Sequence, residues 1–172
     1  MALAVVLLGP PGSGKSTIGQ ELGQRGFRWR EWEIELRERY GGRETFLDRK
    51  AEALEWLARE RTAWARAGEG PAVLESTGLS DAPFLDGLAA EGTFVVLLDV
   101  SPDRAEARID GRARGGHLTD GLEANRRTRA AFEQDVRSAR AVHIVIDTGA
   151  MTAAEAAVQL ASAFAEWAKG RA

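Results

Sequence analysis

Cysteine is absent from the 172 residues, which excludes a disulfide framework, a thiolate nucleophile and any cysteine-ligated zinc or iron–sulfur site. Histidine occurs twice, as His117 and His143. The two lie far apart without acidic companions at ligand spacing, so no histidine metal site is expected. Long apolar runs are missing too. The opening stretch Met1 to Leu8 stops at Gly9-Pro10-Pro11 and lacks the basic flank of a signal peptide. Nor is there a surplus of positive charge: 23 Lys and Arg face 26 Asp and Glu, for a net charge of −3. No global basic field draws such a chain to nucleic acid or to an anionic membrane. With no cysteine and no export signal a cytoplasmic protein is expected, with no membrane partner and with nucleic acid disfavoured; the sequence leaves the oligomeric state open and a monomer is favoured. What remains, 44% hydrophobic and 28% charged residues, supplies one sizeable core that needs no covalent staple.

Val5-Val6-Leu7-Leu8 is apolar on both faces and ends at a glycine loop, as a fully buried strand does. A helix is expected from Gly14 to about Gly26, a short second strand at Phe27-Arg28-Trp29-Arg30, and a short helix from Glu33 to Tyr40. A longer helix should follow, capped by Thr45 with Asp48 three residues on, and run to about Ala67 with Phe46, Leu54, Leu57 and Trp64 as its apolar stripe. Gly68-Glu69-Gly70-Pro71 breaks it ahead of strand Ala72 to Glu75. A helix from about Ala82 to Ala90 and strand Phe94 to Val100 come next, and Ser101-Pro102 has the form of a helix start. After Gly111-Arg112-Ala113-Arg114-Gly115-Gly116, a helix opens at Thr119 or Asp120 and reaches about Arg140. Strand Val142 to Ile146 and a last helix capped by Thr152 and Glu155 complete the chain. Strands separated by helices throughout predict one α/β domain, residues 1–172, with a parallel sheet covered on both faces.

Gly9-Pro10-Pro11-Gly12-Ser13-Gly14-Lys15-Ser16 fits G-x-x-x-x-G-K-[ST] at every fixed position, between a buried strand and a helix. Glycines let successive N–H groups of the loop, Gly12, Ser13 and Gly14 among them, turn toward one anion, and the helix N-terminus adds partial positive charge. Lys15 is expected at the β- and γ-phosphates, the Ser16 hydroxyl on magnesium and Thr17 beside the α-phosphate. A glycine-rich turn without a ligand would share the pattern but has no need of the lysine.

With this loop placed, the chain resembles the small P-loop kinases of the shikimate-kinase and nucleoside-monophosphate-kinase type, shikimate kinase more closely. The resemblance implies a three-layer P-loop NTPase fold with a five-stranded parallel sheet in order 2-3-1-4-5 and helices on both faces. It also implies a substrate-binding helical region at 31–67, a lid at about 111–118, and ATP and Mg2+ as cofactors. Shikimate kinases carry Asp-x-Asp after their second strand, and Glu31 and Glu33 stand at the two acidic positions here. By that likeness Glu31 helps hold hydrated magnesium and Glu33 receives the acceptor hydroxyl, a role in keeping with carboxylate chemistry beside a γ-phosphate. Glu31, Glu33, Glu35 and Glu38 also suit the exposed face of a helix.

The expected acceptor pocket departs from the family. Phe46 is followed by Leu47 where the family has a carboxylate-clamping arginine. Ser76-Thr77-Gly78 replaces Gly-Gly-Gly and keeps its last residue, Gly78. Thr128 takes the place of a second clamping arginine, with Arg127 and Arg129 adjacent and Arg129 retained as a candidate for the substrate. An arginine fork is the usual carboxylate grip, so another hydroxyl compound is expected in place of shikimate. Glu75 closes an apolar strand at the position where related kinases bind magnesium water or substrate. Asp99, after Val95-Val96-Leu97-Leu98, is its rival, and Glu75 is favoured. Around the lid, Arg108 would stack on adenine and Arg112 or Arg114 would close on the phosphates, unless these form a solvated arginine face. Asp147-Thr148-Gly149-Ala150 resembles the loop whose backbone meets adenine. Trp29 and Trp32 either stack on a substrate ring or pack as core. His143, inside an apolar strand, reads as a satisfied core residue or one facing a helix.

The reading that follows is an ATP- and magnesium-dependent kinase acting on a small-molecule hydroxyl, with Lys15, Glu33, Arg112 and Arg114 as catalytic candidates. A nucleoside, nucleotide or polynucleotide 5′-end kinase, using Arg37, Arg39, Arg43 and Arg49 to grip phosphate, is one alternative. A nucleotide-dependent switch without transfer activity is another.

Overall fold

The computed structural model describes residues 4–41, 43–79, 81, 85–86, 92–111, 122–138 and 141–171, with 43 and 44 described by backbone alone. Four parallel strands form the sheet among these residues: β1 (Ala4–Leu8), β2 (Ala72–Ser76), β3 (Phe94–Asp99) and β4 (Ile144–Asp147), in spatial order β2-β1-β3-β4. Helices α1 (Lys15–Gly23), α2 (Trp32–Tyr40), α3 (Arg43–Asp48) and α4 (Lys50–Arg66) lie between β1 and β2. Helices α5 (Pro102–Asp110) and α6 (Leu122–Asp135) link β3 to β4, and α7 (Ala153–Lys169) closes the chain.

The period-two alternation of a strand splits the apolar residues into two cores. Val5, Leu7, Val73, Val96, Leu98 and Ile146 pack with Ile18 and Leu22 of α1 and with Ala156, Leu160 and Phe164 of α7. Val6, Leu8, Leu74 and Leu97 face the other way, against Ala65 of α4 and Phe132 of α6, with Val136 just beyond that helix. Both faces of the sheet are therefore covered, giving the three layers that its all-apolar strands require. Each large side chain sealed in these cores contributes about 1.5–3 kcal/mol. A third cluster, Leu36, Tyr40, Phe46 and Ala53, joins α2, α3 and α4 into a unit of their own beside the sheet.

The sheet has four strands, not the five expected. The segment expected as a second strand makes one parallel bridge, Arg28 to Ala72, through Arg28 N to Pro71 O and Val73 N to Arg28 O, each 2.9 Å. Gly26, at φ 87°, and the start of α2 at Trp32 leave room for little more pairing. The Arg28 side chain turns to the end of α4 instead. Its guanidinium donates to Trp64 O at 2.8 Å, to Ala65 O at 3.0 Å and to Ala67 O, neutralising carbonyls that a helix C-terminus leaves bare. The helix expected from Thr45 to Ala67 is also corrected. Thr45 lies inside α3, and the chain breaks at Arg49 (φ −113°, ψ 25°) before α4 begins.

Two further helix starts read from the sequence are present, and the one expected at Thr119 or Asp120 lies outside the described residues. Ser101 Oγ accepts from Arg104 N ahead of Pro102, and Thr152 with Glu155 makes a reciprocal capping box. The expected helix near 82–90 and the expected lid, Arg112 and Arg114 included, lie outside the described residues but for Leu85, Asp86 and Gly111. Among the described residues no helix is long and apolar enough to cross a membrane.

Candidate active site

All four strands run the same way, so their C-terminal ends share one edge of the sheet, the edge at which open α/β sheets take their ligands. The loop from Gly9 to Gly14 leaves β1 there. Gly12 and Gly14 have φ of 79° and 90°, values that side-chain-bearing residues rarely adopt. A Cβ on Gly12 would stand 2.6 Å from Ala105 O, so the glycine also lets α5 close over the loop. Helix α1 starts at Gly14 with no side-chain cap, and its first-turn amides are left to an anion. Lys15 Nζ arches back over the loop and donates to Gly9 O at 2.8 Å and Pro10 O at 3.0 Å. Ser13 N donates to Pro10 O, while its buried Oγ has no hydrogen-bond partner among the described residues.

On one side of this loop is a cavity of about 380 Å³, lined by Gly12, Gly14, Thr17, Arg108, Thr148 and Met151 among others. Arg108 is held there by Gly12 O at 3.2 Å, Thr148 Oγ1 at 3.1 Å and Thr148 O at 2.6 Å. Thr148 is itself fixed to Asp99 O through its amide and hydroxyl. The arginine thus ties the phosphate loop to the loop after β4, and the space between them has an apolar floor of Ile18, Met151, Ala153 and Ala156. A flat base with a phosphate tail suits this shape.

On the other side is a cavity of about 230 Å³, lined by Lys15, Ser16, Glu33, Leu57, Arg61, Glu75, Asp81 and Asn125 together with loop residues. Strand register decides who reaches it. Glu75 pairs with Leu7 and shares the face of Val73, the α1 face, so its carboxylate meets the first turn of α1: Ser16 Oγ donates to Glu75 Oε2 at 2.9 Å. Burial pushes the Glu75 carboxyl above the usual carboxylate range. Lys15, the Ser16 hydrogen bond and Arg61 pull the other way, and nearby Glu33 adds to the rise. Asp99 lies three residues after Val96, which pairs with Leu7, and therefore faces the α6 side. There it accepts from Arg137 Nη2 at 2.8 Å. The two acids that look alike in sequence point to opposite layers.

Arg61 is the most consequential feature that sequence reasoning missed. It sits on the inner face of α4, 3% exposed, where an apolar residue would be expected. Nη1 donates to Asp81 Oδ2 at 2.9 Å and Nη2 to Glu75 O. Asp81 in turn accepts from Ser76 Oγ at 2.7 and 2.8 Å, and Ser76 Oγ accepts from Gly78 N at 2.7 Å. Asn125, buried on α6, completes the wall. Arg61, Asp81 and Asn125 are the members of this site that sequence reasoning missed. A buried arginine at stripe spacing on α4 was the one available hint.

Other expected residues are placed elsewhere. Glu31 precedes α2 with no capping bond and is exposed, so it does not line the cavity that holds Glu33. Gly78, at φ 72°, packs where a Cβ would stand 2.7 Å from Val136 Cγ1; it serves the turn after β2. Arg129 donates to Pro11 O and Val100 O from behind the phosphate loop, and partial burial lowers its pKa. Trp29 covers Gly19, where a Cβ would lie 2.3 Å from its ring, and Trp32 meets Trp64 edge-on at 5.7 Å. Both are packing residues. Arg39 and Arg49 lie over the rings of Tyr40 and Trp56 and so cover the α2–α4 cluster. His143 Nδ1 accepts from Val95 N at 2.9 Å, and burial lowers its pKa.

Strand order, phosphate loop and the helical unit between α1 and β2 make this the fold of the P-loop kinases of the shikimate and nucleoside-monophosphate kinase type. The chain is similar to a shikimate kinase from Acinetobacter baumannii in complex with shikimate, at TM-score 0.68 and 18% identity over 95% of this chain and 93% of that one. It is similar to a sugar kinase from a Janibacter species, at TM-score 0.61 and 18% identity over 94% and 92%. A deoxyadenosine kinase from M. mycoides with bound dATP aligns at TM-score 0.57 and 17% identity over 92% and 99%. No family model matches the sequence, and no curated protein matches it. At identities this low the likeness fixes the fold and leaves the chemistry to the residues of this chain.

Proposed function

We propose that this protein is a kinase that transfers the γ-phosphoryl group of ATP, with Mg2+, to a hydroxyl of a small molecule. The observation that carries the reading is the Ser16–Glu75 contact of 2.9 Å at the mouth of the phosphate loop, with Glu33 in the same cavity. A nucleotide site and a carboxylate-walled acceptor site would thus adjoin at Gly12 and Gly14, which line both cavities, with Lys15 and Ser16 next to them where a γ-phosphate would be exchanged.

The fit to the nucleotide rests on the cradle itself: glycines at positive φ, an uncapped helix N-terminus and an inward lysine. Among the described residues no group of three or more His, Asp or Glu side chains could hold a metal ion unaided. That accords with magnesium, which keeps several waters and takes few protein ligands when phosphates share the coordination. Ser16 would hold it directly and Glu75 through its water, and when bound it would neutralise charge on the phosphates. Lys15 exchanges its carbonyl partners for phosphate oxygens and stabilises the charge that grows there in the transition state. Glu33 accepts the hydrogen bond of the acceptor hydroxyl, orients its oxygen in line and takes its proton as the new P–O bond forms. Arg108 holds the nucleotide end. Arg112 and Arg114, outside the described residues, and Glu31, exposed at the start of α2, keep the lid and metal-water roles that the resemblance implies.

Incubation with MgATP and a panel of hydroxyl compounds tests this. Acceptor-dependent ADP formation, with the phosphate recovered on a hydroxyl, is the expected result. Slow ADP formation indifferent to every acceptor would replace the kinase with a nucleotide-driven switch.

A further inference from the structure

We infer that the acceptor is an uncharged polyhydroxyl compound, such as a sugar, polyol or nucleoside, and that Arg61 is a positioning residue for Glu75, not a receptor for an anionic group on the substrate. This rests on the kinase reading and narrows it to a substrate class.

The charges around the 230 Å³ cavity are weighted toward anions. Among the described residues its cations are Lys15 and Arg61, and its anions are Glu33, Glu75 and Asp81. Lys15 belongs to the phosphate loop, bonded to Gly9 O and Pro10 O. Arg61 is spanned between Asp81 Oδ2 and Glu75 O, with its side chain 3% exposed. To bind a substrate carboxylate or phosphate with the bidentate geometry that makes arginine useful, it would have to turn away from its ion pair with Asp81 and its bond to Glu75 O. The incoming anion would also meet Glu33 and Glu75. Hydroxyl groups face no such conflict. Two carboxylates accept from O–H donors, Asn125 and Thr77 offer both donor and acceptor atoms, and Leu57 gives an apolar patch for a C–H face.

The same geometry assigns Arg61 its work. It reaches from α4, in the helical unit, to the carbonyl of the residue whose side chain holds Ser16. Asp81 and Ser76 extend that brace to the turn after β2. Arg61 acts on the reaction through Glu75 and touches neither nucleotide nor acceptor.

The test uses the full chain, MgATP and acceptors in matched pairs that differ in charge: a hexose with its uronic acid and its phosphate, a nucleoside with its 5′-monophosphate, a cyclic triol with shikimate. The expected result is phosphorylation of at least one uncharged member, with kcat/KM about tenfold or more above its anionic partner. Phosphorylation confined to, or faster with, the anionic members overturns this inference and leaves the kinase reading standing. Binding of MgATP with no member phosphorylated defeats both. On the acceptor that turns over, Arg61→Lys should lower kcat about tenfold while its KM moves less than about threefold. Ser76→Ala, a milder cut in the same brace, should show the same split on a smaller scale. A rise in acceptor KM at unchanged kcat in either variant would give Arg61 to the substrate and overturn its assignment.

Discussion

The two cavities that flank the phosphate loop are built on different principles. The phosphate loop is made of main chain: consecutive amides, two glycines at positive φ and a helix end, all within a few residues of one another. The cavity beside it adds Arg108, Thr148 and Met151 from later elements. The acceptor side is made of side chains brought from α2, α4, β2 and α6, residues that stand up to ninety positions apart by number, from Glu33 to Asn125. A main-chain cradle tolerates almost any neighbour as long as its glycines and lysine persist. A side-chain pocket changes specificity with each substitution. One fold can thus keep a common phosphoryl donor while its acceptor diverges, which is how proteins named for shikimate, sugar and deoxyadenosine come to share it.

The sharpest way to break this comparison is at the lysine that follows the glycines lining both cavities. Lys15→Ala should reduce transfer by more than about 10³-fold, since it removes the charge aimed at the transferring group. Its far-UV circular dichroism should match the parent's, because Lys15 opens α1 and packs in neither core beside the sheet. Near-normal turnover would remove it from the mechanism. Next in size, Glu33→Gln should lower kcat about 10²-fold by removing the base while leaving the affinity for MgATP, read by calorimetry, unaltered. A parallel loss of nucleotide affinity would show that the two sides are not separable.

Arg108→Ala is the converse on the nucleotide side. Three hydrogen bonds to Gly12 and Thr148 disappear, and KM for ATP should rise about tenfold, equivalent to about 1.4 kcal/mol, with acceptor KM unmoved. The different construction of the two sides also explains what could be read from the residues in order. The loop from Gly9 to Ser16, the Ser101 and Thr152 helix starts and the buried strands are local patterns, and each is visible without tertiary knowledge. The choice between Glu75 and Asp99 needed the register that sets Leu7 beside both Glu75 and Val96. Arg61 was hidden because a charged residue in an apolar stripe is indistinguishable from a solvated one until its partner, Asp81, is placed. The fifth strand was overread because Phe27 and Trp29 alternate like strand residues. Phe27 packs on Phe164 and Trp29 on α1, with one bridge to β2.

The smallest effect is the most telling about cost. Glu75 is held in a place where burial raises its pKa against the pull of Lys15, Ser16 and Arg61. Between the ordinary carboxylate range and that raised value the folded protein binds more protons than the unfolded chain, so stability falls as pH rises through the window. Charging the Glu75 carboxyl is therefore a net burden on the fold. Glu75→Gln should remove it. In urea unfolding without nucleotide, the variant should lose the parent's decline across that window and be the more stable of the two above it. Its amide oxygen can still accept from Ser16, so the geometry is kept while the charge is lost, and catalysis should suffer even as the fold gains. Functional carboxylates held at the expense of stability are the pattern expected of sites selected for chemistry. A destabilised Glu75→Gln above that window would mean instead that attraction to Lys15 and Arg61 outweighs burial, and that Glu75 belongs to the scaffold as much as to the site.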